Sequence, residues 1–489
     1  MSAASTGTAA PRASAPAGGA PAARRQRPDG ASRTGLGLAL AVSILAAAFG
    51  TALATLMEHA ALALYGEAMI AGSGTARIML AIAALLLIGV SVVVGAIVAR
   101  QAFTGAVEDL RGEIALRRLL GAASRTERRR VLRGFVAVGI AGSLIGWILG
   151  VLTARGAGEL ISRLGERFDL RSMSMIEPWA AVPALAVAAA AVLSAWLATR
   201  DVLAVSPLEA LRGAGVDVET TVHRRRTGAR VALILGALLL AAAVALSPLS
   251  PLAVLVGFAG GIVSVTGIIG LAPAIAPPMV ALVSRAFGRG VPARAAAGTL
   301  ATHPGRTSAL VLSLFAGAAV VTMMVTAGTS LTTAVVSIER DPGFRAELQA
   351  IYGGVTSVIT GIVGFSAVLA VLGFVAAMLL SVRRRTREIG LLRMLGLRRG
   401  QTRTMLLAEA GAITVVAVVT GFCVGALYGW IGTQSLVGSV GGVVSTAPSI
   451  PWALPVSLVV GGLAVALAAS LPAGARAAAV PPLAAVATD

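Results

Sequence analysis

The stretch Arg387 to Ile431, REIGLLRMLGLRRGQTRTMLLAEAGAITVVAVVTGFCVGALYGWI, decides the fold. Its second part, Met405 to Ile431, exceeds the about 20 apolar residues that cross a hydrocarbon layer about 30 Å thick. Its first part, EIGLLRMLG, is too short to cross. It reads as a short helix with Glu388 in the first turn, where the helix dipole favours a carboxylate, and with Gly396 placed for a left-handed C-terminal cap. Ile389, Leu392 and Leu395 are more apolar surface than a solvated loop needs. The helix therefore needs a cover, which could be lipid headgroups, neighbouring spans or another protein.

Working outward, ten segments have the length and apolarity of a span: Gly35 to Met57, Ile78 to Ala99, Phe135 to Thr153, Trp179 to Thr199, Val231 to Leu246, Leu252 to Val283, Ser308 to Ser330, Val355 to Val382, Met405 to Ile431 and Trp452 to Leu471. The sixth is over-long and reads as interrupted by Gly260, Gly261, Pro273, Pro277 and Pro278. The whole chain agrees: of 489 residues 57% are hydrophobic and 12% charged, which excludes a water-soluble globular protein. All 40 basic residues are Arg. With no Lys, the chain lacks the P-loop GxxxxGK[ST] and Schiff-base chemistry. One Cys and three dispersed His exclude an intrachain disulfide and make metal chemistry a poor reading. No catalytic, cofactor-binding or metal-binding residue is assigned.

The net charge of +19 could suggest nucleic acid, but the position of the Arg residues decides otherwise. With the N-terminus inside, 33 of the 40 Arg fall on the inner side, as the positive-inside rule requires. The expected topology is a multi-pass cell-membrane protein with both termini cytoplasmic and no nucleic-acid partner. Residues 1–34, rich in Ala, Ser, Gly and Pro, read as a disordered cytoplasmic tail rather than a signal peptide, because the following apolar run is too long for one.

The helix EIGLLRMLG has an earlier copy, EIALRRLLG at Glu113 to Gly121, at an offset of 275. The offset holds beyond the motif: Arg128 meets Arg403, Leu132 meets Leu407, Gly146 meets Gly421, and VSPLEAL from Val205 meets VPPLAAV from Val480. The expected fold is thus an all-α polytopic membrane protein of about ten transmembrane helices, in two four-helix repeats joined by two connecting helices. The first repeat is 35–212, the linker with the connecting helices 213–290, and the second repeat 291–489. An even number of spans between the copies makes the repeats parallel.

RRRTREIGLLRMLGLRRGQTRTMLLAEA at Arg383 to Ala410 resembles the hallmark loop of the FtsX-like permease family, the MacB/BceB type of ABC transporter membrane subunit, and RGEIALRRLLGA at Arg111 to Ala122 resembles its first copy. HPGRTS from His303 and RDVLAVSPLEALR from Arg200 are similar to the elements that open and close a repeat. The resemblance implies a type VII-like architecture and a separate cytoplasmic ABC ATPase dimer, with ATP and Mg²⁺ on that partner and no cofactor in this chain. It also implies that the two short helices are coupling helices seated in ATPase clefts. Those are Glu113, Ile114, Leu116, Arg118, Leu120 and Gly121 in the first copy, and Arg387, Glu388, Ile389, Leu391, Arg393, Leu395 and Gly396 in the second. Relatives often carry a large outer domain, but Glu58 to Arg77 and Leu331 to Gly354 are too short for a folded one.

Three functions fit unequally. A permease subunit exporting an amphiphilic peptide, antibiotic or lipid-like cargo leads. A non-transporting transmitter of force to a cell-envelope partner comes second. An ion-coupled secondary transporter comes last, because the spans lack the intramembrane ionisable groups it needs. Cys423 reads as a small hydrophobe in the core, Glu58 and His59 as a solvated helix end, and Glu409 as a partner for nearby Arg403.

Overall fold

The computed structural model describes residues 29–66, 120–121, 123–164, 180–204, 219–286, 304–338, 386–438 and 447–479, with single positions or short runs within 82–117, 290–300, 341–353 and 371–378. Nine helices run through the described residues: α1 (Asp29–Gly66), α2 (Ser124–Leu164), α3 (Ala181–Ala204), α4 (Glu219–Leu246), α5 (Ala253–Ala286), α6 (Pro304–Ile338), α7 (Thr386–Met394), α8 (Arg399–Val437) and α9 (Ala453–Ala479). Five of them, α2, α4, α5, α6 and α8, are long and apolar enough to cross a membrane, and α1, α3 and α9 contain shorter apolar runs. The chain is an all-helical, polytopic membrane protein. The expected spans Ile78 to Ala99 and Val355 to Val382 lie largely outside the described residues.

Two expectations change. Helix α1 begins at Asp29, inside the stretch read as a tail ending at 34, and residues 1–28 lie outside the described residues. The sixth span is one continuous helix, α5, with Pro273, Pro277 and Pro278 inside it. A buried membrane helix tolerates proline because neighbouring groups and small local adjustments satisfy the freed carbonyls.

Helices α1, α2 and α3 pack on one another as one bundle. Helices α6, α8 and α9 form a second, against which the hairpin of α4 and α5 lies through α5. Packing follows the rule of a bilayer rather than of water: small side chains face in and large apolar ones face out. On α2, Gly142, Gly146 and Gly150 are buried while Leu144, Ile145, Ile148 and Leu149 are exposed. The four-residue spacing puts the glycines on one face, and that face meets α1 backbone to backbone. A Cβ on Gly150 would lie 2.6 Å from the Ala48 carbonyl oxygen and 2.6 Å from Thr51 Cβ.

The pairing of α6 with α8 repeats this seam. Gly421, Gly425 and Gly429 face α6, and a Cβ on Gly421 would lie 2.9 Å from the Phe315 carbonyl oxygen and on Gly429 2.5 Å from that of Met323. Gly146 and Gly421, and Gly150 and Gly425, are the pairs that the 275-residue offset matches, so the same registered contact stands in both bundles. The connecting hairpin is drawn together likewise, with Gly260 against the Leu240 backbone and Gly267 against that of Leu233. The seam also places Cys423. Lying midway between buried Gly421 and Gly425, it is turned about 200° from them and is exposed on the lipid face rather than packed in the core.

One substitution should have opposite signs at two glycines of α8. In Gly425→Ala the new methyl meets the Ala319 carbonyl oxygen, and stability should fall by about 1–3 kcal/mol. Around Gly432 the space is open, so Gly432→Ala should gain up to about 1 kcal/mol from helix propensity. Denaturant unfolding in bicelles measures both, and equal effects would remove the seam as the basis of the packing.

Candidate functional site

The short helix α7 stands at the end of the second bundle where the Arg residues gather, including Arg398, Arg399 and Arg403 at the start of α8. Its C-terminus is closed by the motif the sequence suggests. Gly396 has φ +102°, its N–H donates to the Arg393 carbonyl at 3.1 Å, and the Leu397 N–H donates to the Leu392 carbonyl at 3.1 Å. This pair of bonds is the Schellman arrangement, which is normally accompanied by an apolar contact across the turn. Leu392 and Leu397 supply apolar groups on both sides of the turn, and both pack on the core of the second bundle. The chain then enters α8 with the Gln401 side-chain oxygen accepting the Arg398 backbone N–H at 2.9 Å.

Helix α7 has two apolar faces with different surroundings. Ile389 is 2% exposed and belongs to the buried cluster that also contains Leu310 of α6 and Met405 and Leu406 of α8. Leu391 and Met394 are exposed, and Leu395 is 85% exposed. Arg393 is half-buried, and Arg387 and Glu388 belong to the helix.

The described residues of the first copy occupy the same environments. Ile114 is 5% exposed in a cluster with Phe103 and Phe135, Leu120 is 82% exposed, and Gly121 has φ +97°. Each value matches its partner 275 residues on. Glu113, Leu116 and Arg118 lie outside the described residues. Behind this copy the Arg128 guanidinium lies 5.4 Å from the Trp196 ring centroid, which ties the start of α2 to α3.

The expected pairing of Glu409 with Arg403 is replaced by another. Glu409, 0% exposed, accepts a bond from Arg306 Nη2 at 2.5 Å, and Arg306 is 22% exposed. Arg403 lies two turns below Glu409 on the same helix and is exposed, whereas Arg306, in the first turn of α6, comes to Glu409 across the seam. The pair links α6 to α8, whose buried residues share a cluster with Ile389. The HPGRTS motif contains this Arg, but its partner is 103 residues away and only the fold brings them together.

At the opposite end one hydroxyl bond joins α8 to α6, and two more bonds tie α6 to the segment that precedes α9. Thr433 Oγ1 donates to the Ala327 carbonyl at 3.1 Å, Thr329 Oγ1 donates to the Ser449 carbonyl at 2.5 Å, and the Ser449 N–H donates to Ser330 Oγ at 3.0 Å. Helices α6 and α8 are thus bound to each other near both ends and along their seam. The arrangement supplies mechanical continuity rather than a reactive group.

Breaking the buried pair from one side should cost more than removing it. Glu409→Gln should lose about 3 kcal/mol, the lower part of the range for such pairs because Arg306 keeps some solvent. The double variant Arg306→Met with Glu409→Leu should recover a large part of that loss. A double-mutant cycle in nanodiscs reads the coupling, and simple additivity would show that the pair does not join α6 to α8.

Comparison with known proteins agrees with this geometry. Residues 360–482 match the family model described as FtsX-like permease C-terminal, a segment that contains α7, α8 and α9. The chain is 36% identical over 100 residues to a protein of Bacillus subtilis (strain 168) described as "Uncharacterized ABC transporter permease YknZ", a match that covers 20% of this chain and 24% of that relative. Residues 360–482 are thus similar to the C-terminal part of FtsX-like permeases, and the match spans about a quarter of the relative's length.

Proposed function

We propose that the chain is the membrane subunit of an ABC transporter, driven by a separate cytoplasmic ATPase dimer that grips the helices ending at Gly121 and Gly396. The observation that carries this reading is the duplicated, two-faced helix. One side is locked into the bundle by Ile114 or Ile389, and a leucine at the cap, Leu120 or Leu395, stands exposed. A membrane-surface anchor needs only the exposed side. The buried side, which joins the core cluster of its bundle, gives a pushed helix something to move. ATP and Mg²⁺ belong to the partner in this reading, and the present chain hydrolyses nothing. The cargo is amphiphilic and leaves the cell, with both termini of the chain in the cytoplasm.

Gly396→Val tests the coupling. At φ +102° a β-branched residue is strained by roughly 1–2 kcal/mol, although the space around the site is open. Membrane insertion should survive and the cap should open. ATPase association and cargo-stimulated hydrolysis should fall together, Gly121→Val should act likewise, and the double variant should abolish both. Co-purification and hydrolysis in nanodiscs provide the readout. Wild-type stimulation in the double variant would make these helices surface anchors.

Topology is tested separately. Reporter tags on both termini should be cytoplasmic, and one placed in 339–354 should be external. An external N-terminus would overturn the orientation drawn from the Arg distribution.

A further inference from the structure

A cavity of about 290 Å³ lies where the connecting hairpin meets the second bundle. Its walls come from α4, α5, α6 and α8, and from Leu86, Val90 and Val93 of the first half. Val90 packs with Val320 and Met324 of α6, and the Phe258 ring of α5 fits into the space over Gly89. The cavity is therefore shared between the halves of the chain, and its width depends on how closely they approach.

Depth in the membrane follows from helix geometry. Tyr428, on the wall, is 25 residues along α8 from Arg403, roughly 37 Å at 1.5 Å per residue, more than the hydrocarbon thickness of about 30 Å. Val424 and Phe315 carry the wall back toward the middle. On α6 the lining runs from Leu312, six residues from Arg306, to Leu331, roughly 28 Å along the helix, so the cavity wall extends through most of the hydrocarbon depth.

The lining defines what can enter. Among the described residues no charged side chain lines it, and its hydroxyls are bonded within the protein: Tyr428 to Ser264 at 2.5 Å and Thr433 to the Ala327 carbonyl at 3.1 Å. A peptide there would leave backbone groups without partners, at a cost of several kcal/mol each. The volume lies at the bottom of the range for small-molecule sites, about 300–1,000 Å³, too small for a bulky amphiphile. Met323 and Met324, unbranched and adaptable, suit a flexible occupant better than a rigid ring system.

We propose that this cavity is an acyl-chain site, taking one fatty-acyl chain of a bilayer phospholipid and holding it between the two halves of the chain. The surrounding leaflet supplies the occupant at high local concentration, so weak apolar contact is sufficient to fill the site. Movement of the halves toward one another would expel the chain, and separation would admit it. This inference needs the protein in a membrane and nothing more, so it stands apart from the proposed ATPase coupling.

The test uses the full chain in nanodiscs of phosphatidylcholine and phosphatidylglycerol containing a phosphatidylcholine with a diazirine at one acyl terminus. After irradiation, peptide mass spectrometry should find labelling concentrated on Met323, Met324, Phe258 and Tyr428, well above lipid-facing Leu144 or Leu463. Gly261→Leu and Gly432→Leu put side chains into open space on the cavity wall, and should remove most of that labelling while leaving label on α2 unchanged. Thermal unfolding of the same samples confirms that the variants are folded. Labelling of the cavity no stronger than of Leu144, or unchanged in folded variants of both glycines, would overturn the proposal. The readout requires no ATPase, so a failure to find that partner is seen in a different experiment.

Discussion

The approach of α6 and α8, backbone against backbone along Gly421, Gly425 and Gly429, is the contact on which the rest of the second bundle depends. In lipid there is no hydrophobic gain from hiding a leucine, so helices associate where small residues allow dispersion contacts over a long line. That line fixes rotation as well as distance. With glycines on the seam, Cys423 and Leu427 are turned away from α6 and exposed. The same approach of the two helices brings Glu409 to Arg306 near one end and Thr433 to the Ala327 carbonyl near the other.

Much of this fold was legible in sequence because a bilayer restricts the choices. Backbone groups must be satisfied within each segment, so an apolar run of sufficient length becomes a helix whatever its neighbours do. Eight of the ten runs fall on described helices. What hydropathy cannot see is where continuity ends. The prolines of α5 signal a break in water, but do not break this helix. The same holds for sidedness: Cys423 is as apolar as a core residue, and only the glycines two positions either side determine that it faces out.

The candidate site divides in the same way. Gly121 and Gly396 were readable because a left-handed cap follows from local chain geometry, and both adopt it. Ile114 and Ile389 were visible as surplus apolar residues in a basic loop, though not which of the apolar positions points inward. The partner of Glu409 was not readable. Arg403 is near in sequence, but two turns down a rigid helix is a longer distance than one seam across, and Arg306 crosses it. Nor was the cavity, which is made of residues that look like any other span until five helical segments are assembled around them.

The two halves agree in geometry but differ in the chemistry behind their capped helices. In the first, Phe103 and Phe135 meet edge to face with centroids 5.8 Å apart, both buried beside Ile114. The offset puts Met378 and Ala410 in their places, also fully buried, so the second half has lost an aromatic pair there. Gly134, which precedes Phe135, is matched by Glu409, which brings in the ion pair with Arg306. Breaking a buried ion pair from one side is costly, because the partner's charge is left behind, whereas an aromatic contact has no charge to strand. The capped helices of the two halves therefore stand beside clusters of different chemistry, an edge-to-face aromatic pair in the first and a buried ion pair in the second.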